Sequence, residues 1–163
     1  MTSFATHAHT DLIDWHDGEL AELFSTLPTG ELPTGHLHGR LFAVRGLGAL
    51  PRPLARLIYR LLSTPINPWR GKSFRAGQGS NHLLWLHGPA LGHYRIGKQL
   101  GSDGQPSLWL DYNIDRNPSL LRHVRGEARQ LRQGQWLCRM LWQNNRGQTT
   151  LLWFTLQGAQ HGR

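Results

Sequence analysis

A charged row near the end of the chain is the feature of this sequence most suggestive of chemistry. In the predicted strand RHVRGEARQL (122–131), strand alternation separates two faces. One face carries His123, Arg125, Glu127 and Arg129, and the other carries Val124, Gly126 and Ala128. Because the small residues bury too little area to be the main lining of a barrel, we expect Glu127 and Arg129 to point into a cavity, where neighbouring opposite charges compensate each other. The alternative is a solvated row of cross-strand ion pairs.

Aromatic residues on neighbouring predicted strands would supply the apolar part of such a cavity. SLWLDY (107–112) and QWLCRMLW (135–142) place tryptophans within alternating strands. A stripe of this kind is typical of a plain core, but it also lines cavities that hold flat or aliphatic ligands. The predicted ligand contacts are Tyr112, Arg125, Glu127, Arg129, Trp109 and Trp136, with His82 or His123 completing a hydrogen-bond network.

Other kinds of chemistry have little support in the sequence. The phosphate-binding loop, the dinucleotide-binding glycine pattern, Gly-x-Ser-x-Gly and His-Glu-x-x-His are all missing. His36 and His38 would share one strand face, yet no third ligand is marked by spacing, so we expect no metal. Cys138 is the single cysteine, which excludes an internal disulfide. We expect no cofactor.

Charge is distributed unevenly along the chain. Six acids and no Lys or Arg precede Arg40, whereas the remainder carries 18 bases and four acids, a net of +14. An acidic N-terminal helix therefore either covers a basic surface of its own domain or leaves a basic body free to attract an anion. No apolar run is long enough to span a bilayer and no secretory signal is visible, so we expect a cytoplasmic protein without a membrane span.

The elements that must position these residues are mostly strands. Residues 11–27 show the apolar spacing of a helix, 36–44 form a first strand, and 50–63 form a second helix. Seven further short strands follow at 69–74, 81–87, 91–98, 107–112, 122–131, 135–142 and 149–156, separated by glycine and polar turns that include Gln133-Gly134 and residues 144–147. In the first of these strands, Lys72 and Phe74 share one face. We predict a mainly β domain at 11–157, an eight-stranded antiparallel barrel of the calycin or lipocalin type, between disordered tails at 1–10 and 158–163. An open sheet wrapped on a helix is the alternative.

The order of the motifs resembles a group of small bacterial proteins similar to the GXWXG family and the uncharacterised domain that usually follows it. The matching phrases are LFSTLP, TGHLHGRL, NPWRGKSF, DGQPSLWLDY and VRGEARQLRQGQWLCRML. Within them Trp69, Gly71, Lys72 and Phe74 match a "W-x-GK-F" strand, whereas His36-Leu37-His38 replaces the tryptophan for which the family is named. The resemblance implies a lipocalin-like barrel and no settled activity.

Three hypotheses about function remain open. The first is a binding protein with a barrel cavity for a small apolar or amphipathic molecule. The second is a small cofactor-free enzyme, an isomerase, cyclase or hydrolase acting on a hydrophobic metabolite, with Glu127 or a histidine as general acid or base. The third is nucleic-acid binding, against which the bases are scattered rather than clustered. The sequence predicts no oligomeric state.

Overall fold

Eight antiparallel strands follow one another around a closed barrel. The computed structural model describes residues 12, 15–44, 53, 69–83 and 92–158, with the backbone alone at 42–44, 69–70 and 82–83. The elements are α1 (Asp17–Thr26), β1 (Gly35–Val44), β2 (Trp69–Arg75), β3 (Gln78–Leu83), β4 (His93–Leu100), β5 (Pro106–Asp111), β6 (Val124–Arg132), β7 (Gln135–Asn144) and β8 (Gly147–Gly158). The prediction of a mainly β, eight-stranded antiparallel barrel with an N-terminal helix is confirmed.

Several helix and strand boundaries differ from the predicted ones. Helix α1 begins at Asp17 rather than near residue 11, and β6 begins at Val124 after a short 3-10 turn. The second helix predicted at 50–63 lies outside the described residues except for Pro53, which is helical. The predicted tail at 1–10 lies outside them as well, as do residues 159–163 of the other tail. No helix in the described part of the chain is long and apolar enough to cross a membrane.

Tight turns set the register of the barrel. The predicted turns at Gln133-Gly134 and at 144–147 join β6 to β7 and β7 to β8. The turn between β2 and β3 was not predicted. It is formed by Ala76 and Gly77, whose φ angles of 47° and 76° are both positive, as in the turns that match the twist of a hairpin. Because glycine is absent from its first position, the sequence pattern gave little sign of this hairpin.

The inner and outer faces of the wall are distinguished by two clusters of buried residues. The larger cluster fills the inside of the barrel with side chains from one face of nearly every strand. Its members include Leu37, Phe74, Tyr94, Leu108, Leu110, Ala128, Trp136, Cys138 and Phe154. The smaller cluster lies outside the wall, where Leu137 and Trp153 meet Leu20 and Phe24 of α1. The barrel interior is therefore the main core, and α1 covers part of the outer surface of β7 and β8.

Helix α1 is held by its ends as well as by its apolar face. At its start, the carboxylate of Glu19 accepts a hydrogen bond from the backbone N–H of His16 at 2.8 Å, which satisfies an otherwise free donor. The indole N–H of Trp153 donates to Asp17 at 2.7 Å. The ring of Phe24 meets that of Trp153 edge-on at 5.7 Å between centroids. The apolar residues of this segment therefore pack against the outside of the barrel.

Candidate functional site

A lysine lies inside the barrel. Lys72 on β2 is only 2% exposed, and its ammonium donates to Asn81 Oδ1 at 2.5 Å and to the hydroxyl of Tyr112. Asn81 is its direct partner across the β2–β3 pair, and Tyr112 follows the end of β5. Lys72, Asn81, Tyr94, Tyr112, Cys138 and Phe154 are called the inner lysine site below.

The backbone beside Lys72 depends on a glycine. Gly71 has a φ of 138°, and a Cβ built on it would lie 1.9 Å from the carbonyl oxygen of Leu37 on β1. Only glycine allows β1 to approach so closely here, next to a register shift between Trp69 and Gly71. The close approach fixes the alternation of β2, so that Lys72 and Phe74 turn inward. This agrees with the prediction that these two residues share a face.

Aromatic rings surround the ammonium of Lys72. Its Nζ lies 4.9, 5.1 and 5.6 Å from the ring centroids of Tyr94, Tyr112 and Phe154. Rings at these distances attract a cation through their negatively charged faces. Gly79 makes room for this arrangement, because a Cβ there would meet the ring of Tyr94 at 2.5 Å.

Burial dominates the electrostatics of the inner lysine site. Loss of water lowers the pKa of Lys72 from 10.5 to about 7, against a smaller opposing effect from Cys138. Burial raises the pKa of Tyr94, Tyr112 and Cys138 above their ordinary values, so these three stay neutral near pH 7. Among the described residues no carboxylate pairs with Lys72. The ammonium is thus buried with dipoles and rings around it but no counter-ion from these residues.

A second donor on the inner face lacks an acceptor. Trp136 on β7 is 7% exposed, and its indole N–H is buried with no hydrogen-bond partner within the described ranges. Trp136 and Cys138 are successive inward positions on this strand, so about 7 Å of strand separates them. Buried polar groups are nearly always hydrogen-bonded, and an exception requires an explanation.

Glu127 and Arg129 of β6 have a different setting, outside the barrel wall and beneath α1. Glu127 is fully buried, and its two carboxylate oxygens are both engaged. Oε1 accepts from the backbone N–H of Ser102 at 2.7 Å, and Oε2 pairs with Arg139 at 2.6 Å from Nη2. Ser102, Asp103, Glu127, Arg129 and Arg139 are called the outer network below.

Arg129 is also fully buried, and it uses every donor it has. Asp103 accepts two hydrogen bonds, at 2.6 and 2.8 Å, and the backbone carbonyls of Phe24, Gln105 and Pro106 accept the other three. A guanidinium has five N–H donors, so none remains for a ligand. Burial alone would raise the pKa of Asp103, but the hydrogen bonds and charge of Arg129 hold it below its ordinary value. Arg129 joins the β4–β5 turn to the C-terminal end of α1.

The predicted inward orientation of Glu127 and Arg129 is therefore wrong, although both side chains are buried. Glu127 pairs with Arg139 and Trp109 across the sheet, on the outer face, while Ala128 pairs with Leu108 and Cys138 on the inner face. The small residues face inward because larger ones fill the space opposite them. A Cβ on Gly126 would lie 2.9 Å from Leu110 Cβ and 3.2 Å from Met140 Sδ.

The remaining predicted ligand contacts are divided between the two faces. Tyr112 and Trp136 lie inside, and Tyr112 belongs to the inner lysine site. Trp109 is half-buried outside and donates to the Leu100 carbonyl at 2.8 Å. Arg125 pairs with Asp111 at 2.9 Å, and His123 is exposed beside Trp142. The side chain of His82 is outside the described residues. We expected Tyr112 to lie close to Glu127, but the two residues are on opposite faces of the barrel wall. A ligand-binding role for these predicted contacts stays a prediction.

Sequence reasoning missed Lys72, Asn81 and Arg139 as members of buried clusters. A lysine in a strand is ordinarily solvent-facing, and charged residues are rarely fully buried. The available signal was its alternation with Phe74, which places both residues on one face of β2. Across the described ranges, His, Cys, Asp and Glu side chains form no group of three that could hold a metal ion.

Comparisons with known proteins bear on the fold alone. The sequence matches no family model and no curated protein. A solved structure described as a protein from Thermomonospora curvata is similar, with a TM-score of 0.58 and 19% sequence identity. The match covers 88% of this chain and 87% of that one. At this identity the likeness supports the barrel architecture.

Proposed function

We propose that this protein binds a small amphipathic molecule inside its barrel. The apolar part of the ligand lies against the aromatic and aliphatic inner face, and a polar end that accepts hydrogen bonds lies at Lys72. The observation that carries the proposal is the buried ammonium without a carboxylate partner in the described part of the chain.

A buried ammonium without a counter-ion has an energetic cost. A buried charge is destabilising unless it is paired and hydrogen-bonded, and methionine would fill a similar volume without that cost. Asn81 and Tyr112 stabilise the ammonium as neutral acceptors, but neither neutralises it. An anionic or strongly polar ligand group would do so, and its charge-assisted hydrogen bond would be stronger than a neutral one.

The unpaired indole N–H of Trp136 supports the same class of ligand. It is a donor, as is the ammonium of Lys72, so both groups require acceptors. A carboxylate or carbonyl oxygen meets that requirement, whereas a ligand rich in donors does not.

The outer network gives no comparable support to an enzyme that uses Glu127 as its base. Both oxygens of that carboxylate are occupied, and Arg129 has no free donor. These groups hold α1 and the β4–β5 turn on the barrel. Lys72 and Trp136 inside the barrel, rather than the outer network, therefore support the proposed function.

Calorimetric titration with two ligands of equal chain length tests the proposal. At pH 6, where Lys72 is charged, dodecanoate should bind about tenfold more tightly than dodecan-1-ol, because only the former pairs with the ammonium. Lys72→Met should abolish that preference. Lys98→Met, which removes the exposed lysine of β4, is the matched control and should preserve it.

Two outcomes would count against the proposal. If neither ligand binds at concentrations where it is monomeric, the barrel is not a site for aliphatic amphiphiles. If both bind equally to the wild type, the barrel takes such ligands but Lys72 does not select the polar end.

A further inference from the structure

We infer that the amine of Lys72 reacts reversibly with an aldehyde or ketone ligand to form an imine inside the barrel. This inference rests on the proposed function, since the ligand must first enter the interior. It narrows the ligand's polar end to a carbonyl group and adds a covalent step that simple binding does not require.

The surroundings of Lys72 Nζ suit a nucleophilic amine rather than a permanent ion. No carboxylate from the described residues holds it in the charged form, and its neighbours are neutral acceptors and ring faces. Lysines that react with carbonyl groups are activated by just such desolvation. Burial lowers the pKa of Lys72 to about 7, so near neutral pH a substantial share of the amine carries its free electron pair.

Tyr112 can manage the protons that imine formation requires. The lone pair of Nζ attacks the carbonyl carbon, a C–N bond forms as the carbonyl π bond breaks, and one of the two amine protons passes to the oxygen to give a carbinolamine. The C–O bond of this carbinolamine then breaks, water leaves, and nitrogen loses its remaining proton to give the neutral imine. The hydroxyl of Tyr112 is in hydrogen-bond contact with Nζ and stays protonated near neutral pH. It is placed to donate to the departing oxygen and to take back a proton.

The enclosure also favours the product. Water reverses imine formation, and a buried site lowers access of bulk water to the C=N bond. Asn81 Oδ1 limits the orientations of Nζ, which directs its lone pair in a restricted set of directions. Cys138 lies on the same inner face, but its raised pKa keeps it as a poorly nucleophilic thiol.

The sequence makes a covalent test unusually clean. Lys72 and Lys98 are the only lysines in the chain, and Lys98 is exposed on β4. Folded protein is incubated at pH 7.5 with dodecanal and sodium cyanoborohydride, which reduces an imine to a stable secondary amine. Each adduct adds the mass of the aldehyde less one oxygen atom, and peptide mass mapping locates it.

The expected result is labelling of Lys72 over Lys98 by about tenfold or more, because desolvation activates only the former. An excess of dodecan-1-ol, which competes for the same interior, should suppress labelling of Lys72 and leave that of Lys98 unchanged. Lys72→Met should lose the adduct, and Lys98→Met should keep it. Tyr112→Phe should slow adduct formation about tenfold, with the rate measured at dodecanal concentrations that saturate the interior, so that a change in affinity does not contribute to it.

The outcomes separate this inference from the proposed function. If dodecanoate or dodecan-1-ol binds but Lys72 is not labelled, the inference is overturned and the binding function stands. If labelling occurs only at Lys98 or the N-terminal amine, the inference is overturned likewise. If no ligand binds and no adduct forms, both fail. Mapping on the wild type gives the answer even if a Lys72 variant does not fold.

Discussion

Beneath α1, two guanidiniums and two carboxylates lie together in the outer network, whereas inside the barrel the ammonium of Lys72 has no described carboxylate beside it. Arg129 and Arg139 also share the ring of Phe24, with their guanidinium carbons 4.4 and 4.5 Å from its centroid. The inner lysine site has aromatic rings as well, but its hydrogen-bond acceptors are an amide and a hydroxyl.

The difference indicates different roles for buried charge. A charge cluster with complete pairing holds parts of the chain in place, as Arg129 holds α1 and the β4–β5 turn. A buried charge without a counter-ion is destabilising on its own. In the function proposed above, the ligand supplies the missing counter-charge.

Breaking the outer network should have the largest effect. Glu127→Ala leaves Arg139 buried without its carboxylate and Ser102 without an acceptor, so we expect the free energy of unfolding to fall by about 3–5 kcal/mol. Urea denaturation followed by tryptophan fluorescence measures it. A loss below about 1 kcal/mol, as for a solvated ion pair, would contradict the assigned burial.

The matched control removes both charges at once. In Glu127→Leu combined with Arg139→Met, no buried charge of this pair is left unpaired. Such replacements are often neutral or stabilising, so the double variant should be more stable than Glu127→Ala. If the double variant is less stable than Glu127→Ala, the Glu127–Arg139 pair stabilises the fold by more than the mutual neutralisation of its charges.

The backbone that positions the inner lysine site should be the next most sensitive place. Gly71→Ala puts a Cβ against the Leu37 carbonyl at a φ that other residues rarely adopt, and we expect a loss of about 2–4 kcal/mol. Gly97→Ala on β4 is the control, because no atom lies within 4 Å of its added Cβ. Thermal unfolding of both variants measures the difference, and equal melting temperatures would contradict the close approach of β1 and β2.

The pH dependence of stability isolates Lys72 itself. Folded protein releases this proton near pH 7, while the unfolded chain keeps it until about 10.5, so between these values the unfolded state binds more protons. Stability should therefore rise from pH 7 to 9, by about 2 kcal/mol for one such group. Above pH 9 the raised pKa of Cys138 acts in the opposite direction, because the folded state then keeps the extra proton.

Denaturant titrations at several pH values check this expectation. Lys72→Met should remove the rise between pH 7 and 9, and Lys98→Met should retain it. A rise that persists in Lys72→Met would assign it to another group.

The smallest expected change in stability is at Trp136. Trp136→Phe removes an unpaired buried donor together with part of a ring, so the two effects oppose each other and should leave stability within about 1 kcal/mol. Dodecanoate affinity should nevertheless fall if the indole N–H donates to the ligand. Trp109→Phe on the outer face is the control for affinity, and equal affinity in both variants would exclude Trp136 from the site.

Most of the fold was predicted from two features of the sequence, the residue types at turns and the alternation of apolar and polar residues along strands. Gly134 and Gly147 have positive φ angles and lie at two hairpins that the sequence predicted. The predicted positions of β6, β7 and β8 are therefore close to the observed ones. The Ala76-Gly77 turn was missed because alanine rarely adopts a positive φ. The strand predicted at 81–87 consequently began three residues late, at Asn81 instead of Gln78.

The candidate site was harder to predict because alternation gives two faces without saying which is inward. On β6 the choice depended on how much space Leu110 and Met140 occupy opposite Gly126, which is a property of three strands together. The helix added a second ambiguity. By covering the outer face it buries Glu127 and Arg129, so burial alone did not identify the inside.

Closure of the barrel has a consequence for the order of folding. Strand pairs joined by short turns, such as β2–β3, β6–β7 and β7–β8, can form as local hairpins, whereas β1 and β8 pair residues as far apart in the chain as Leu37 and Gly158. Contacts of such long sequence separation are slow to form. During synthesis α1 and β1 emerge first, yet their partners on β8 emerge last. The apolar face of α1, with Leu20 and Phe24, must therefore wait uncovered until nearly the whole barrel has been made.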